Sequence, residues 1–123
     1  MDAILKHQPA AQRGAMAAID RAHLARMTFG DRSLERVVLQ LFDRQAAMLI
    51  ERIRTSNPEA VASLAHTLKG SAAGIGADLV ARSADAAEQA ACGPASECSL
   101  AIDRLVAAVE EARALIAELL REA

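Results

Sequence analysis

Apolar residues recur at three- and four-residue intervals along most of the chain, and the repeat breaks only at a few polar, proline or glycine positions. From about Asp31 or Ser33 to Thr55, Leu34, Val37, Val38, Leu41, Phe42, Met48, Leu49 and Ile53 follow a helical period. Asn57-Pro58-Glu59 is the clearest start signal: Asn is a favoured N-cap, Pro suits the first helical position, and Glu complements the dipole of the first turn. It predicts a helix to about Ala73, ended by the turn Gly74-Ile75-Gly76. The next helix, about Ala77 to Ala91, is nearly all alanine on its inner side and stops at Gly93-Pro94. The last runs from about Ser96 to Leu120, with Ile102, Leu105, Val106, Val109, Ala112, Ile116 and Leu119 as its stripe. Upstream, Asp20 caps a short helix through about Phe29, and Gly30 ends it. Residues 1–18 are polar and alanine-rich with weak periodicity, and read as a tail or loosely docked lead-in to a single domain over 19–123.

Composition strengthens this picture. The 123 residues contain no Trp or Tyr and only two phenylalanines, Phe29 and Phe42, against abundant alanine. Alanine is the best helix former, whereas strands favour aromatic and β-branched residues. The expected fold is therefore all-α: an antiparallel four-helix bundle with a short additional N-terminal helix. A formal charge of −2 lacks the basic excess of a nucleic-acid footprint. No apolar run reaches the ~20 residues of a membrane span, and the first twenty residues lack a signal peptide's apolar core, so the cytoplasm is the expected location. Cys92 and Cys98 have no second pair for a zinc site and read as small buried or half-buried side chains.

The densest chemistry lies in residues 65–77, Ala-His-Thr-Leu-Lys-Gly-Ser-Ala-Ala-Gly-Ile-Gly-Ala. On a helix, His66, Lys69 and Gly70 are surface neighbours. Val61, Leu64, Ala65, Leu68, Ala72 and Ile75 define the core direction, and at ~100° per residue His66 points about 140° away from it. It shares its side with Glu59, Ala62, Gly70 and Ala73, with Lys69 at the edge. An outward imidazole ringed by small residues, beside a glycine that weakens the helix by about 1 kcal/mol, suggests close approach of a partner to a nucleophile. His7 and His23 have no such setting. No phosphate-binding loop of the Gly-x-x-x-x-Gly-Lys-Ser/Thr kind is present, and no acidic cluster that would hold Mg²⁺ is expected next to His66.

His66-x-Leu68-Lys69-Gly70-Ser71, with Gly76 beyond it, resembles the signature of histidine-containing phosphotransfer domains of phosphorelays. Ile19-Asp20, Phe29-Gly30-Asp31 and the long helix carrying Phe42 extend the likeness over roughly 19–120. The resemblance implies that His66 is the phosphoacceptor, reacting through Nε2, and that Lys69 stabilises charge beside the phosphoryl group. It implies that Gly70 clears space for the partner, that Ser71 fills a small polar position, and that Gly76 turns the chain out of the helix. Gln45 matches a position that carries a polar side chain near the histidine in some members, although a plain boundary glutamine is the equal alternative. Ala87 departs from the larger aliphatic that many members place before the glutamate matched by Glu88.

An imidazole is largely neutral at cellular pH and offers one ring nitrogen as a nucleophile. The implied function is a phosphocarrier, not a kinase or other enzyme. It would take a phosphoryl group from a receiver-domain aspartyl phosphate and pass it to another receiver aspartate. The implied partners are response-regulator receivers, with a hybrid histidine kinase as a further candidate. Docking would use Ala62, Gly70, Ser71, Ala73 and Gln45, on the motif helix and the adjacent long helix. No cofactor is expected on this chain; Mg²⁺ would belong to the receiver. A monomer is the simplest state. The alternatives are a non-phosphorylated adaptor that binds a receiver, a receiver phosphatase using Gln45 and Glu88 or Gln89, and a structural bundle without chemistry.

Overall fold

Three of the five helices among the described residues start where the sequence places a side-chain oxygen to catch an early amide. The computed structural model describes residues 18–122. Among them α1 spans Arg21–Met27, α2 Arg32–Arg54, α3 Pro58–Ile75, α4 Asp78–Ala90 and α5 Ala95–Arg121. Asp20 Oδ1 accepts from the His23 amide at 3.0 Å, Asp31 Oδ1 from the Leu34 amide at 3.0 Å, and Asn57 Oδ1 from the Ala60 amide at 2.9 Å. Each cap satisfies a donor that helix geometry leaves unpaired. At the end of α3, Gly76 takes a left-handed φ of 81°, and the Ala77 amide donates back to Ala72 O at 2.8 Å. That is the glycine-terminated helix end expected from the sequence.

Short connections turn α2, α3, α4 and α5 up and down in sequence. The motif helix α3 packs between α2 and α4, and α5 closes the ring against α4 and α2. On that closing side the Arg36 guanidinium donates to Leu120 O at 2.8 Å, and Arg113 Nε to Asp43 Oδ1 at 2.7 Å. The all-α antiparallel bundle is thus observed, and α1 is the additional helix. It lies against the C-terminal end of α3, where the Asp20 amide donates to Gly76 O at 2.8 Å and His23 Nε2 sits 3.2 Å from Gly74 O.

The core is aliphatic apart from Phe42 of α2. Val61, Ala65, Leu68, Ala72 and Ile75 of α3 face Val80, Ala84 and Ala87 of α4, and Leu105, Val109, Ala112 and Ile116 of α5 complete the interior. The small inward residues of α4 bring its axis close to α3, since helix separation follows the side chains at the contact. Thr28 is the buried polar residue of this interior, and its hydroxyl donates to Leu24 O at 2.9 Å.

The stripe expected on α2 divides into two. Phe42, Leu49 and Ile53 join Leu39, Ala46 and Ile50 in the core, whereas Leu34, Val37, Leu41 and Met48 are between 39% and 53% exposed. At 3.6 residues per turn the two sets point roughly 140° apart, so the long apolar run serves two faces of one helix. Where the lead-in meets the domain, Ala18 and Ile19 are buried, Ile19 completely, and give α1 an apolar anchor. The rest of that lead-in, His7 included, lies outside the described residues. Cys98 is half-buried as expected, but Cys92 is exposed at the α4–α5 turn, and both thiols are free.

Candidate functional site

Leu68 and Ala65 are fully buried, and they fix the rotation of α3. With those two residues inward, His66 is driven out, and its side chain is 67% exposed. The ring is nonetheless held. His66 Nδ1 lies 3.0 Å from Glu88 Oε2 on α4. The second oxygen of the same carboxylate, Oε1, is 3.0 Å from Lys69 Nζ in an ion pair. Lys69 Nζ also donates to Asp85 Oδ1 at 2.9 Å. Asp85 and Glu88 are three residues apart and share the face of α4 that looks at α3. One carboxylate therefore bridges the histidine and the lysine, and a second holds the lysine from the other side.

The electrostatics follow from these distances. Lys69 is raised above the ordinary lysine range, first by its hydrogen bond to Asp85 and then by Glu88. Asp85 is lowered, chiefly by Lys69. Glu88 is also lowered, mainly by Lys69, with the His66 contact adding to it and partial burial opposing it. Both carboxylates are thus ionised at neutral pH. An ionised carboxylate can only accept, so the neutral imidazole carries its proton on Nδ1, and the Nε2 lone pair is free.

The small residues are as exposed as the wheel suggests. Gly70 and Ala73 are exposed, and Ala62 and Ser71 half-buried. A Cβ placed on Gly70 would meet nothing within 4 Å, so the bundle itself does not require glycine there. Gln45 is half-buried on α2, beside the exposed Leu41 and Met48. Among the described residues no hydrogen bond joins Gln45 to His66; the ring's partner is Glu88.

Both carboxylates of this face hold Lys69 against α4. They reach it because α4 returns antiparallel to α3 and brings Asp85 and Glu88 level with Lys69 and His66. Asp85 was not legible as a site residue, since its pairing spans a chain reversal; the i, i+3 spacing of Asp85 and Glu88 was the available signal. His23, which reads as incidental, holds a backbone carbonyl of the motif helix instead. No helix among the described residues is long and apolar enough to cross a membrane.

The family model described as Hpt domain matches residues 37–122, from within α2 to just past α5. Comparison with curated proteins and with solved structures gave no match. The match takes in most of α2, all of α3, α4 and α5 and the held, outward histidine, and on it the chain belongs to the Hpt domain family, the histidine phosphotransfer modules of two-component signalling.

Proposed function

We propose that the protein is a phosphorelay intermediate that carries a phosphoryl group on His66. The observation that carries this reading is the outward His66 ring, its side chain 67% exposed and its Nδ1 held by Glu88. In the forward step the Nε2 lone pair attacks phosphorus of a receiver's aspartyl phosphate. The N–P bond forms, the P–O bond to the aspartyl carboxylate breaks, and that carboxylate leaves with the electron pair. The Nδ1 proton stays on the ring, which gains positive charge that the Glu88 carboxylate offsets. Passing the group to a second receiver reverses these changes. Mg²⁺ at the transfer would come with the receiver's own acidic site.

Lys69 supplies the fixed positive charge on this side of the ring. Gly70, Ala73, Ala62 and Ser71 give a low surface over which a partner can reach Nε2. Gln45 and the exposed Leu34, Val37, Leu41 and Met48 extend that surface onto α2, an apolar face suited to a partner's own apolar surface. The chain acts as a carrier and depends on its partners for catalysis.

The test is intact mass and ³¹P spectroscopy after incubation with phosphoramidate, on wild type and His66→Gln in parallel. One acid-labile phosphate on wild type and none on the folded variant is the expected result. A folded wild type that accepts phosphate from neither phosphoramidate nor a phosphorylated receiver would overturn the carrier reading and favour the adaptor.

A further inference from the structure

Lys69 has one ammonium group and two anionic claimants in the resting protein. Glu88 is shared with His66, but Asp85 has no contact with the ring and acts on Lys69, at 2.9 Å. The Asp85 side chain is also the more open of the two, 48% exposed against 27% for Glu88. A phosphoryl group on Nε2 adds a third and stronger claimant. A lysine ammonium is a compact charge on a flexible stem, so it can turn toward a new anion, at the cost of the contact it leaves.

Resting on the phosphotransfer reading above, we propose that Asp85 is a positioning residue that holds Lys69 on α4 and so limits how firmly His66 retains its phosphoryl group. The lysine's contact with the phosphoryl oxygens then competes with the contact to Asp85, and the N–P bond stays easy to surrender. His66 becomes a point of transit more than of storage. The residue touches neither the ring nor the phosphoryl group; its effect passes through Lys69.

Phosphoramidate and ammonia buffers give a direct measure. Nε2 takes the phosphoryl group, the P–N bond of phosphoramidate breaks, and ammonia leaves, so the phosphoramidate-to-ammonia ratio at half loading reports the stability of the phosphohistidine. Asp85→Asn is expected to reach half loading at a ratio about two- to fivefold lower than wild type, the scale of one partly exposed ion pair. Asp85→Glu, which keeps the charge, should return the midpoint toward wild type. In a Lys69→Gln background, Asp85→Asn should add nothing. An unchanged or higher midpoint for folded Asp85→Asn overturns the proposal. So does the same gain in the Lys69→Gln background, which would mean simple repulsion between Asp85 and the phosphoryl group. No loading of wild type by phosphoramidate or by a phosphorylated receiver removes the phosphocarrier reading itself, a result distinct from normal loading without an Asp85 effect.

Discussion

Glu88 touches His66 Nδ1 with one oxygen and Lys69 Nζ with the other, both at 3.0 Å, across the α3–α4 contact. The ring's orientation and proton position therefore depend on a residue 22 positions away in sequence. Glu88→Gln keeps the shape of the side chain but removes its charge, and its amide can present a donor to Nδ1. Loading of His66 by phosphoramidate should slow on the order of tenfold, the effect of losing one charge-assisted hydrogen bond that orients the nucleophile. Rapid-quench intact mass reads the rate, and unchanged circular dichroism shows that the bundle is intact.

The same cluster gives stability a pH window. Asp85 and Glu88 are lowered in the folded protein, so their contribution is present above the unfolded carboxylate range and is lost as pH falls through their folded values. Lys69 is raised, so its contribution is complete below the unfolded lysine range and is lost as pH rises through its folded value. Thermal melts should show a plateau between roughly pH 5 and 10 from these groups, with losses on both sides. Lys69→Gln should flatten both limbs.

At Gly70, fold and docking are expected to pull in opposite directions. Its Cβ position is empty and exposed, so Gly70→Ala should stabilise the helix by about 0.5–1 kcal/mol in a denaturant titration. Gly70→Leu should fold as well but block transfer from a phosphorylated receiver, while loading by the much smaller phosphoramidate is largely retained. Equal loss with both donors would mean that the bulk harms the histidine itself and not the docking.

Gly76 presents the reverse case. Its φ of 81° disfavours a side chain, and a Cβ there would lie 2.9 Å from Asp20 O and 3.1 Å from Asp20 Cβ. Gly76→Ala should cost about 1–3 kcal/mol or more, read as a lowered melting temperature, because both the backbone strain and the contact with α1 must be accommodated.

Phe29 is 91% exposed and holds a left-handed φ of 55° at the α1–α2 corner. The core gains nothing from its ring. Phe29→Asn, which tolerates that conformation better, should raise stability by about 0.5–1 kcal/mol.

Much of this was legible from the chain alone because local signals agreed. Asp20, Asp31 and Asn57 act within three residues of the helices they start, and Leu68 with Ala65 fixes where His66 must point. The reading failed where partners lie far apart. Periodicity alone could not say that Leu34, Val37, Leu41 and Met48 face away from the core, because two apolar faces on one helix merge into one run. Nor could it place Asp85 and Glu88 beside Lys69, since that depends on how α4 registers against α3. The burial of Ala18 follows likewise from the docking of α1, a tertiary event without a periodic trace.

The joint between Asp20 and Gly76 links two places 56 positions apart, the start of α1 and the end of the helix that bears His66. Gly74 O, two residues before that end, is held by His23 from the same short helix. Amide exchange at Asp20 would therefore gauge how tightly the motif helix is anchored. If a docked partner shifts α3, protection at Asp20 should change in step, although that amide sits at the far end of α1 from the α2 surface. A peptide amide remote from the chemistry would then report the engagement of the histidine.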